Sequence, residues 1–426
     1  MKKIAIIGSV LFYAFMSAQY KIIINIPAYL SDSDSYLYGF NGSKEILLAK
    51  GKYSKNQIDF SVDKQYIGMM RVYFQKSNAF VNMLSENKDI NAKIVIDAKN
   101  KISDVTYQDE ANQLMGNELD LQKKRELILP ALVQIVDYYN PNDTFYKPLE
   151  TEIKNLSQKD NPVYASHPFI AFYHDNQKFN NQDKVSDLTA QNFIDFFTKS
   201  NEYLETSSLM KPALINYLNL SKGNVEKGVD NLLEAVNIET PRGQTILSEL
   251  IDIFGTYDME KLREKYLTEA SNLKCTINDR LSATIKSNKN VELGAKMPNN
   301  IFQNPIHTKV KSLYDIKADK KIIVFWASTC SHCEAELPKL VDKYQELKAQ
   351  NIEIIGFSLD NNLDDFRKKA EMFPWISDSE GMGWYSSYGD TYNISATPTY
   401  FVLDANNIII NKPDHVGDVL EFLKIK

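Results

Sequence analysis

The fold of the C-terminal region is decided by one stretch, IIVFWASTCSHCEAELP, which runs from Ile322 to Pro338. Its first, apolar part predicts a buried strand, and the pair Ser328-Thr329 predicts a turn that can cap a helix. Apolar residues then continue at helical spacing, at Leu337, Leu340, Val341, Tyr344 and Leu347. The stretch therefore predicts strand, turn and helix, and it puts Cys330 where the helix begins.

Two cysteines three positions apart, Cys330 and Cys333, lie at that predicted helix start. Unpaired backbone N–H groups and the positive end of the helix dipole favour a thiolate at Cys330, and a protonated His332 would add positive charge. Cys333 is near enough to close a small disulfide ring. Zinc sites and structural disulfides use the same spacing, although zinc usually needs two pairs. Because the chain has no second pair, redox chemistry is the preferred interpretation, with the other two as alternatives.

Composition places the chain among folded proteins of two or three domains. It has 426 residues, of which 43% are hydrophobic and 24% charged, and a net charge of −6 with both signs mixed. The absence of a basic excess argues against nucleic acid as a partner. Three cysteines are too few for a disulfide framework, so packed cores must supply the stability.

The first 18 residues have the pattern of a cleaved secretory signal. Lys2 and Lys3 precede an apolar run from Ile4 to Phe15, and Ser17-Ala18 supplies small residues for cleavage. The run is short for a membrane span, which needs about 20 residues, so an uncleaved anchor is the less favoured alternative. No cysteine follows that would carry a lipid. We therefore predict a soluble periplasmic protein that is not a lipoprotein.

Two different periodicities divide the chain before residue 291. Residues 19–105 contain segments that alternate with period two, and turn-rich segments separate them, which predicts an antiparallel β-sandwich or barrel. These segments are Lys21–Ile26, Ser35–Gly39, Gln57–Val62, Met69–Phe74 and Ala92–Asp97. Residues 106–290 have helical spacing, with Pro130 as a predicted kink.

The helical region offers few signals of chemistry. Its aromatic residues are interpreted as core, among them Phe169, Phe172, Tyr173, Phe196 and Phe197. His167 and His174 are interpreted as structural because no Asp, Glu or Cys grouping accompanies them. Cys275 is predicted to be a small buried hydrophobe within a helix that runs from Met259 to Ile285.

Residues 291–426 alternate strands with helices and carry a set of motifs that resembles a known family. The matching residues are Gly294 to Pro298, Ser312 to Asp315, Phe325 to Ala327, Cys330 to Cys333, Glu336 to Pro338 and Ala396 to Thr399. Together they resemble secreted thioredoxin-fold proteins of the TlpA and ResA type, which are related to AhpC/TSA redoxins. The resemblance covers about a third of the chain and implies an α/β thioredoxin fold there.

The resemblance also implies roles for individual residues. Pro398 would be a cis-proline facing the disulfide, Thr397 would offer its backbone to a substrate strand, and Glu336 would relay protons or tune the thiol pKa values. Two positions depart from common patterns. Val324 stands where many cytosolic thioredoxins have a buried aspartate. A histidine at the position of His332, between the two cysteines, resembles strong disulfide oxidants.

The predicted function is that of an extracytoplasmic thiol-disulfide oxidoreductase acting on protein disulfides, as a reductant. Cys330 would attack and Cys333 would resolve the mixed disulfide. A disulfide oxidase or isomerase, a thiol peroxidase and a secreted binding protein with a thioredoxin-like scaffold are alternatives. No metal, flavin or nucleotide signature accompanies the cysteines, so we expect no other cofactor. A membrane thiol as electron donor and a homodimer are further hypotheses.

Overall fold

A computed structural model of the protein describes residues 20–30, 34–99, 101–157, 162–180 and 187–425. The signal segment predicted at residues 1–18 lies outside the described residues. Within the described ranges, no helix combines the length and the apolar character needed to cross a bilayer.

The N-terminal strands form two sheets. They are β1 (Tyr20–Asn25), β2 (Ser35–Asn41), β3 (Lys44–Lys50), β4 (Lys52–Ser54), β5 (Gln57–Val62), β6 (Ile67–Phe74), β7 (Ala79–Glu86), β8 (Ile90–Ile96) and β9 (Ile102–Tyr107). One sheet has the order β4-β5-β1-β8-β9 and the other the order β3-β2-β6-β7. Alternate residues such as Ile22, Phe60 and Val72 meet in one core, which indicates a sandwich.

One strand pair of this sandwich differs from the antiparallel prediction. β1 pairs with β8 in parallel, with Ile22 opposite Ile90, whereas β1 and β5 are antiparallel. Parallel neighbours need a long crossover connection, and residues 26–89, which include strands of both sheets, supply it. The first sheet is therefore mixed.

Helices follow from residue 110 and cover the second sheet. They are α1 (Glu110–Lys123), α2 (Leu129–Val136), α3 (Tyr146–Ser157), α4 (Pro168–Asn176), α5 (Ala190–Lys199), α6 (Tyr203–Thr206), α7 (Met210–Leu220), α8 (Val225–Val236), α9 (Pro241–Thr256), α10 (Glu260–Ser271) and α11 (Asp279–Lys289). Phe40, Met69 and Leu84 of the sheet share a core with these helices. A π-helical turn, Lys124–Ile128, precedes Pro130 and joins α1 to α2.

Most side chains predicted as structural in this region are packed or paired. Phe169, Tyr173, Phe193, Phe196 and Phe197 are buried in the helical core, and Phe172 packs against it. His167 lies 3.1 Å from a carboxylate oxygen of Glu86, and His174 lies 2.9 Å from one of Glu118. Among the described residues, no three His, Cys, Asp or Glu side chains group as metal ligands.

The prediction of one helix through Cys275 is wrong. α10 ends at Ser271, and α11 begins only at Asp279, where the side chain of Asn278 accepts a hydrogen bond from the N–H of Leu281. Cys275 lies in the connecting loop, half-buried, and its sulfur accepts a hydrogen bond of 3.4 Å from Gln244. The asparagine cap restarts the helix and therefore interrupts the helical pattern.

The C-terminal elements form an α/β unit with a five-stranded sheet. They are β10 (Lys320–Trp326), α12 (Ser331–Ala349), β11 (Ile352–Ser358), α13 (Leu363–Ala370), β12 (Ile376–Ser379), α14 (Ser387–Tyr392), β13 (Thr399–Asp404), β14 (Ile409–Asn411) and α15 (Val416–Leu423). The sheet order is β12-β11-β10-β13-β14, with β12, β11 and β10 parallel and the last two strands antiparallel. Apolar cores cover both faces. This arrangement confirms the predicted thioredoxin-like fold.

A buried ion cluster joins the helices to the sandwich. The guanidinium of Arg280 lies 3.2 Å from a carboxylate oxygen of Glu249 and 2.5 Å from one of Asp252. Glu249 also accepts hydrogen bonds from the N–H and the hydroxyl of Ser43, at 2.8 and 2.6 Å, in the turn between β2 and β3. Because Glu249 is fully buried, these partners take the place of water around its carboxylate.

We expect Arg280→Met to lower the free energy of unfolding by about 3–5 kcal/mol, because the buried carboxylate of Glu249 loses the cation that it pairs with. Chemical denaturation would measure the loss. The matched control is Lys265→Met, which removes exposed pairs with Glu226 and Asp230 and should cost less than about 1 kcal/mol. Equal losses in the two variants would contradict the role given to the cluster.

Candidate active site

The turn between β10 and α12 is held by one carboxylate, that of Asp360. Asp360 follows the neighbouring parallel strand β11 and is buried. It accepts hydrogen bonds from the N–H and the hydroxyl of Ser328, at 2.9 and 2.7 Å, and from the hydroxyl of Ser358 at 2.6 Å. The path of the chain from Trp326 to Cys330 is thereby fixed.

Cys330 caps the N-terminus of α12 with its own sulfur. The sulfur accepts a hydrogen bond of 3.1 Å from the N–H of Cys333, and the Cys330 side chain is half-buried. It also lies 3.3 Å from the carbonyl oxygen of Thr397, to which the thiol donates. The helix start thus offers backbone donors to a thiolate at this position.

The pKa of the Cys330 thiol lies below its ordinary value although the thiol is partly buried. Burial opposes the shift and is the largest single influence. It is outweighed by hydrogen bonds from the Cys333 and Thr397 side chains and from the N–H groups of Cys333 and His332. Cys330 is consequently the thiol that ionises first.

Cys333 has the opposite environment. It lies one helical turn inside α12 and is only 2% exposed. Burial, the hydrogen bond that it gives to Cys330 and the negative charge of Cys330 raise the pKa of Cys333 to about 12. The two thiols are unbonded, so the pair holds one accessible sulfur and one shielded sulfur.

The segment Thr397-Pro398 faces the cysteines across the sheet. The bond between these two residues is a cis peptide bond. The segment directly precedes β13, which pairs antiparallel with β10 and sets Thr399 opposite Phe325. This pairing brings Thr397 to the edge of the sheet where α12 begins.

Glu336 and His332, both predicted as site residues, have different surroundings. The carboxylate of Glu336 lies 2.5 Å from the ammonium of Lys339 and accepts a hydrogen bond of 3.0 Å from the N–H of Val416, at the start of α15. The bond from Lys339, more than the one from Val416, lowers the pKa of Glu336. His332 is exposed, and within the described chain its ring has no hydrogen bond or ion pair.

Tyr400 is a member of the site that sequence reasoning missed. It is 1% exposed, belongs to the core that contains Cys333, and its hydroxyl has no hydrogen-bond partner among the described residues. Burial raises its pKa, and the charges of Glu336, Cys333 and Cys330 act in the same direction. A signal was available, because Tyr400 stands two residues after Pro398 in an apolar strand, where a polar hydroxyl is unexpected.

Loops at the same edge of the sheet contact the N-terminal sandwich. The ring of Tyr385 lies between the rings of Tyr38 and Tyr73, with centroid distances of 4.7 and 4.2 Å. Asn361, which follows β11, donates a hydrogen bond of 3.0 Å to the carbonyl of Gln75. The sandwich therefore stands beside the edge that carries Cys330.

Comparison with known proteins supports this description of the C-terminal region. Residues 293–412 match the model of the AhpC/TSA family. The C-terminal region is ResA-like. It is 32% identical over 101 residues to the thiol-disulfide oxidoreductase ResA of Oceanobacillus iheyensis, which covers 23% of this chain and 50% of that protein. With ResA of Bacillus subtilis, the identity is 22% over 133 residues, 30% of this chain and 71% of the relative.

Two of the solved structures with similar parts are from the genus Bacteroides. The thioredoxin domain of a thiol-disulfide oxidoreductase from Bacteroides vulgatus is 23% identical, with a TM-score of 0.29, and covers 32% of this chain and 96% of its own. A thioredoxin-like protein from Bacteroides caccae is 17% identical, with a TM-score of 0.31, and covers 63% of this chain and 88% of its own. The segment matched to Oceanobacillus ResA spans only half the length of that protein.

Tyr400→Phe should raise the free energy of unfolding of the reduced protein by about 1 kcal/mol, because a buried hydroxyl without a partner is costly. Thermal or chemical denaturation would measure it. The control is Tyr392→Phe, which removes a hydrogen bond of 3.1 Å to the carbonyl of Pro298 and should destabilise by about 1 kcal/mol. Destabilisation by both variants would mean that the Tyr400 hydroxyl has a partner.

The pH dependence of alkylation should separate the two thiols. The pKa of Cys330 lies below its ordinary value of 9.0, so its rate with iodoacetamide should reach half its plateau below pH 9. Cys333 should stay protonated until about pH 12. The measurement uses Cys275→Ser, and urea-unfolded protein is the control. A midpoint for Cys330 equal to that of the unfolded protein would contradict the described hydrogen bonding.

Proposed function

We propose that the protein is an extracytoplasmic thiol-disulfide oxidoreductase that reduces protein disulfides through Cys330 and Cys333. The observation that carries the proposal is the difference between the two thiols. One is half-buried, caps a helix and has a lowered pKa, and the other is buried and has a pKa raised to about 12. The ResA-like relatives, which are named thiol-disulfide oxidoreductases, support the same chemistry.

In the first step, the Cys330 thiolate attacks one sulfur of the substrate disulfide. A new bond forms between Cys330 and that sulfur, the substrate S–S bond breaks, and the second substrate sulfur leaves as a thiolate that takes up a proton. Donors at the helix start favour the attacking thiolate without any other cofactor.

In the second step, Cys333 attacks the sulfur of Cys330 and releases the substrate. Cys333 loses its proton, the disulfide Cys330–Cys333 forms, and the remaining substrate sulfur leaves as a thiolate and is protonated. Two electrons have then passed to the substrate. Once Cys330 is in the mixed disulfide its negative charge is gone, which removes one of the influences that raise the pKa of Cys333.

Thr397 and Pro398 would hold the substrate segment next to Cys330. Proline has no N–H, and the backbone of Thr397 can pair with an extended segment of the substrate. Because the carbonyl of Thr397 lies 3.3 Å from the Cys330 sulfur, such pairing would bring the substrate disulfide within reach of the thiolate.

The exposure of His332 favours the role of reductant over that of oxidase. A charge in the dipeptide between the cysteines raises the reduction potential when it stabilises the thiolate. The ring of His332 is exposed and is not paired with another described residue, so solvent and salt screen its charge. Tyr400, which belongs to the core that contains Cys333, and Glu336, whose charge acts on Tyr400, are proposed to guide the proton of Cys333.

The N-terminal sandwich is proposed to limit which disulfides can reach Cys330. Its residues Tyr38 and Tyr73 pack against Tyr385, which follows β12 at the end of the sheet where α12 begins, and a large substrate would meet the sandwich there. A reduced thiol donor, for which a membrane thiol is our hypothesis, would return electrons to Cys330–Cys333. The proposed location in the periplasm depends on the signal pattern of residues 1–18.

Cys333→Ser should accumulate mixed disulfides with insulin, because attack by Cys330 is intact and the resolving thiol is gone. Cys330→Ser should trap almost nothing, since the remaining thiol is buried and protonated. Intact-mass spectrometry would measure the adducts, and Cys275→Ser should behave like the parent protein. Equal trapping by the two active-site variants would overturn the assignment of roles.

Equilibration of the Cys330–Cys333 pair of the parent protein with glutathione measures its reduction potential, which tests the direction of electron flow. The cysteine pair of a reductant has a low potential, about −270 mV in thioredoxin, so it should stay oxidised over most ratios of reduced to oxidised glutathione. His332→Ala keeps the backbone N–H that Cys330 uses and should leave that potential nearly unchanged, because the ring is exposed. A potential of about −120 mV would instead assign the protein to the oxidases.

A further inference from the structure

Residues 124–157 form a helical hairpin, here called the apolar arm. It contains the π-helical turn, α2 and α3, and none of the residues of α2 is buried although nearly all are apolar. Arg125 donates a hydrogen bond of 2.8 Å to the carbonyl of Leu156, which ties α3 to the first helix of the hairpin. Leu149 and Leu156 are buried. The arm is therefore a built element with its own contacts.

The outer surface of the arm is apolar. Its exposed large side chains are Leu127, Ile128, Val133, Ile135, Tyr138, Tyr139 and Phe145, with exposed fractions between 38% and 88%. These are seven of the eighteen large apolar side chains that are exposed in the described chain. No residue of the arm belongs to any of the four buried cores of the described ranges.

The area of this surface suits a protein interface. The exposed fractions amount to roughly 600–750 Å² of apolar side chain, if a whole side chain offers about 150–200 Å². Isolated monomers rarely expose a contiguous apolar patch beyond about 300–600 Å², and a stable interface buries about 800 Å² of each partner. The arm alone supplies most of one side of such an interface.

The charges of the arm favour a second copy of the chain over a membrane surface. Residues 124–157 contain four basic and five acidic side chains, so the basic excess that binds anionic lipid is absent. Lys124 stands before α2 and Asp137 stands after it, both exposed and neither in an ion pair with another described residue. Opposite charges at the two ends of one helix are complementary to an antiparallel copy of that helix.

We propose that the apolar arm is a homodimer interface in which α2 packs antiparallel against α2 of a second copy. A two-fold axis near the middle of α2 makes the contact isologous, so Lys124 of each copy meets Asp137 of the other. The apolar side chains between these ends become buried. The interface does not involve the cysteine pair.

Sedimentation equilibrium of the full chain at micromolar concentrations tests the proposal. The parent protein should be a dimer, and Leu127→Glu should weaken the dimer by at least about thirtyfold, because it puts a charge into the apolar contact. The matched control is Leu293→Glu, at a side chain that is 66% exposed against 72% for Leu127 but lies outside the arm. Leu293→Glu should leave the dimer, and both variants should retain insulin reduction.

A charge exchange tests the antiparallel arrangement itself. Lys124→Asp should weaken the dimer by about tenfold, since two symmetric contacts become repulsive. Adding Asp137→Lys to that variant should restore the parent affinity, which a loss of local structure could not do. Failure of the double variant to recover would overturn the antiparallel geometry.

Other occupants of the surface would give other results. A parent protein that is monomeric at all concentrations, or a dimer that resists Leu127→Glu, would overturn the proposal. A dimer that forms only without residues 1–18 would mean that this segment covers the arm instead. Leu127-dependent binding of a monomer to vesicles of phosphatidylcholine and phosphatidylglycerol would assign the arm to a membrane surface.

Discussion

The pairing of β10 with β13 is the constraint on which the candidate site depends. It sets Phe325 opposite Thr399, and the residues next to this pair are the turn that leads to Cys330 on one strand and Thr397-Pro398 on the other. A slip of one residue would move Thr397 by about 3.3 Å and turn every side chain of β13 to the opposite face. Tyr400 would then leave the core beneath Cys333. Cores on both faces of the sheet hold the register, so packing far from the sulfurs determines their surroundings.

The local parts of this site could be predicted from the sequence because each signal is local. An apolar strand, a Ser-Thr turn and a helical apolar spacing are enough to place Cys330 at the start of α12. The partners that come from distant strands could not be predicted in this way. Asp360 and Tyr400 reach the site only through the pairing of β10 with β11 and β13. The parallel pairing of β1 with β8 escaped prediction for the same reason, since periodicity indicates a strand and not its neighbour.

The role of a charged side chain also depends on partners that sequence spacing does not give. Helical spacing puts Glu336 near Cys333, but its carboxylate is bound to Lys339 and to the N–H of Val416, eighty positions along the chain. Burial raises the pKa of Tyr400 most, and the negative charges of Glu336, Cys333 and Cys330 raise it further. A hydroxyl that is buried and lacks a partner can change its hydrogen bonding when the charge on Cys330 disappears. This makes it a better candidate for responding to the first step than Glu336, whose bonds are already made.

The N-terminal parts distinguish this chain from a thioredoxin-like region by itself. Glu249 links Arg280 to the turn at Ser43, and Tyr385 packs between two tyrosines of the sandwich, so sandwich, helices and ResA-like region are joined by buried contacts. Loosely linked domains move relative to each other, whereas buried ionic and aromatic contacts resist such motion. The sandwich is therefore held at the end of β11 and β12, the same end of the sheet at which β10 leads into the turn to Cys330. A fixed surface there would restrict substrates by shape before any thiol reacts, which is the physical basis of the specificity that we propose for the sandwich.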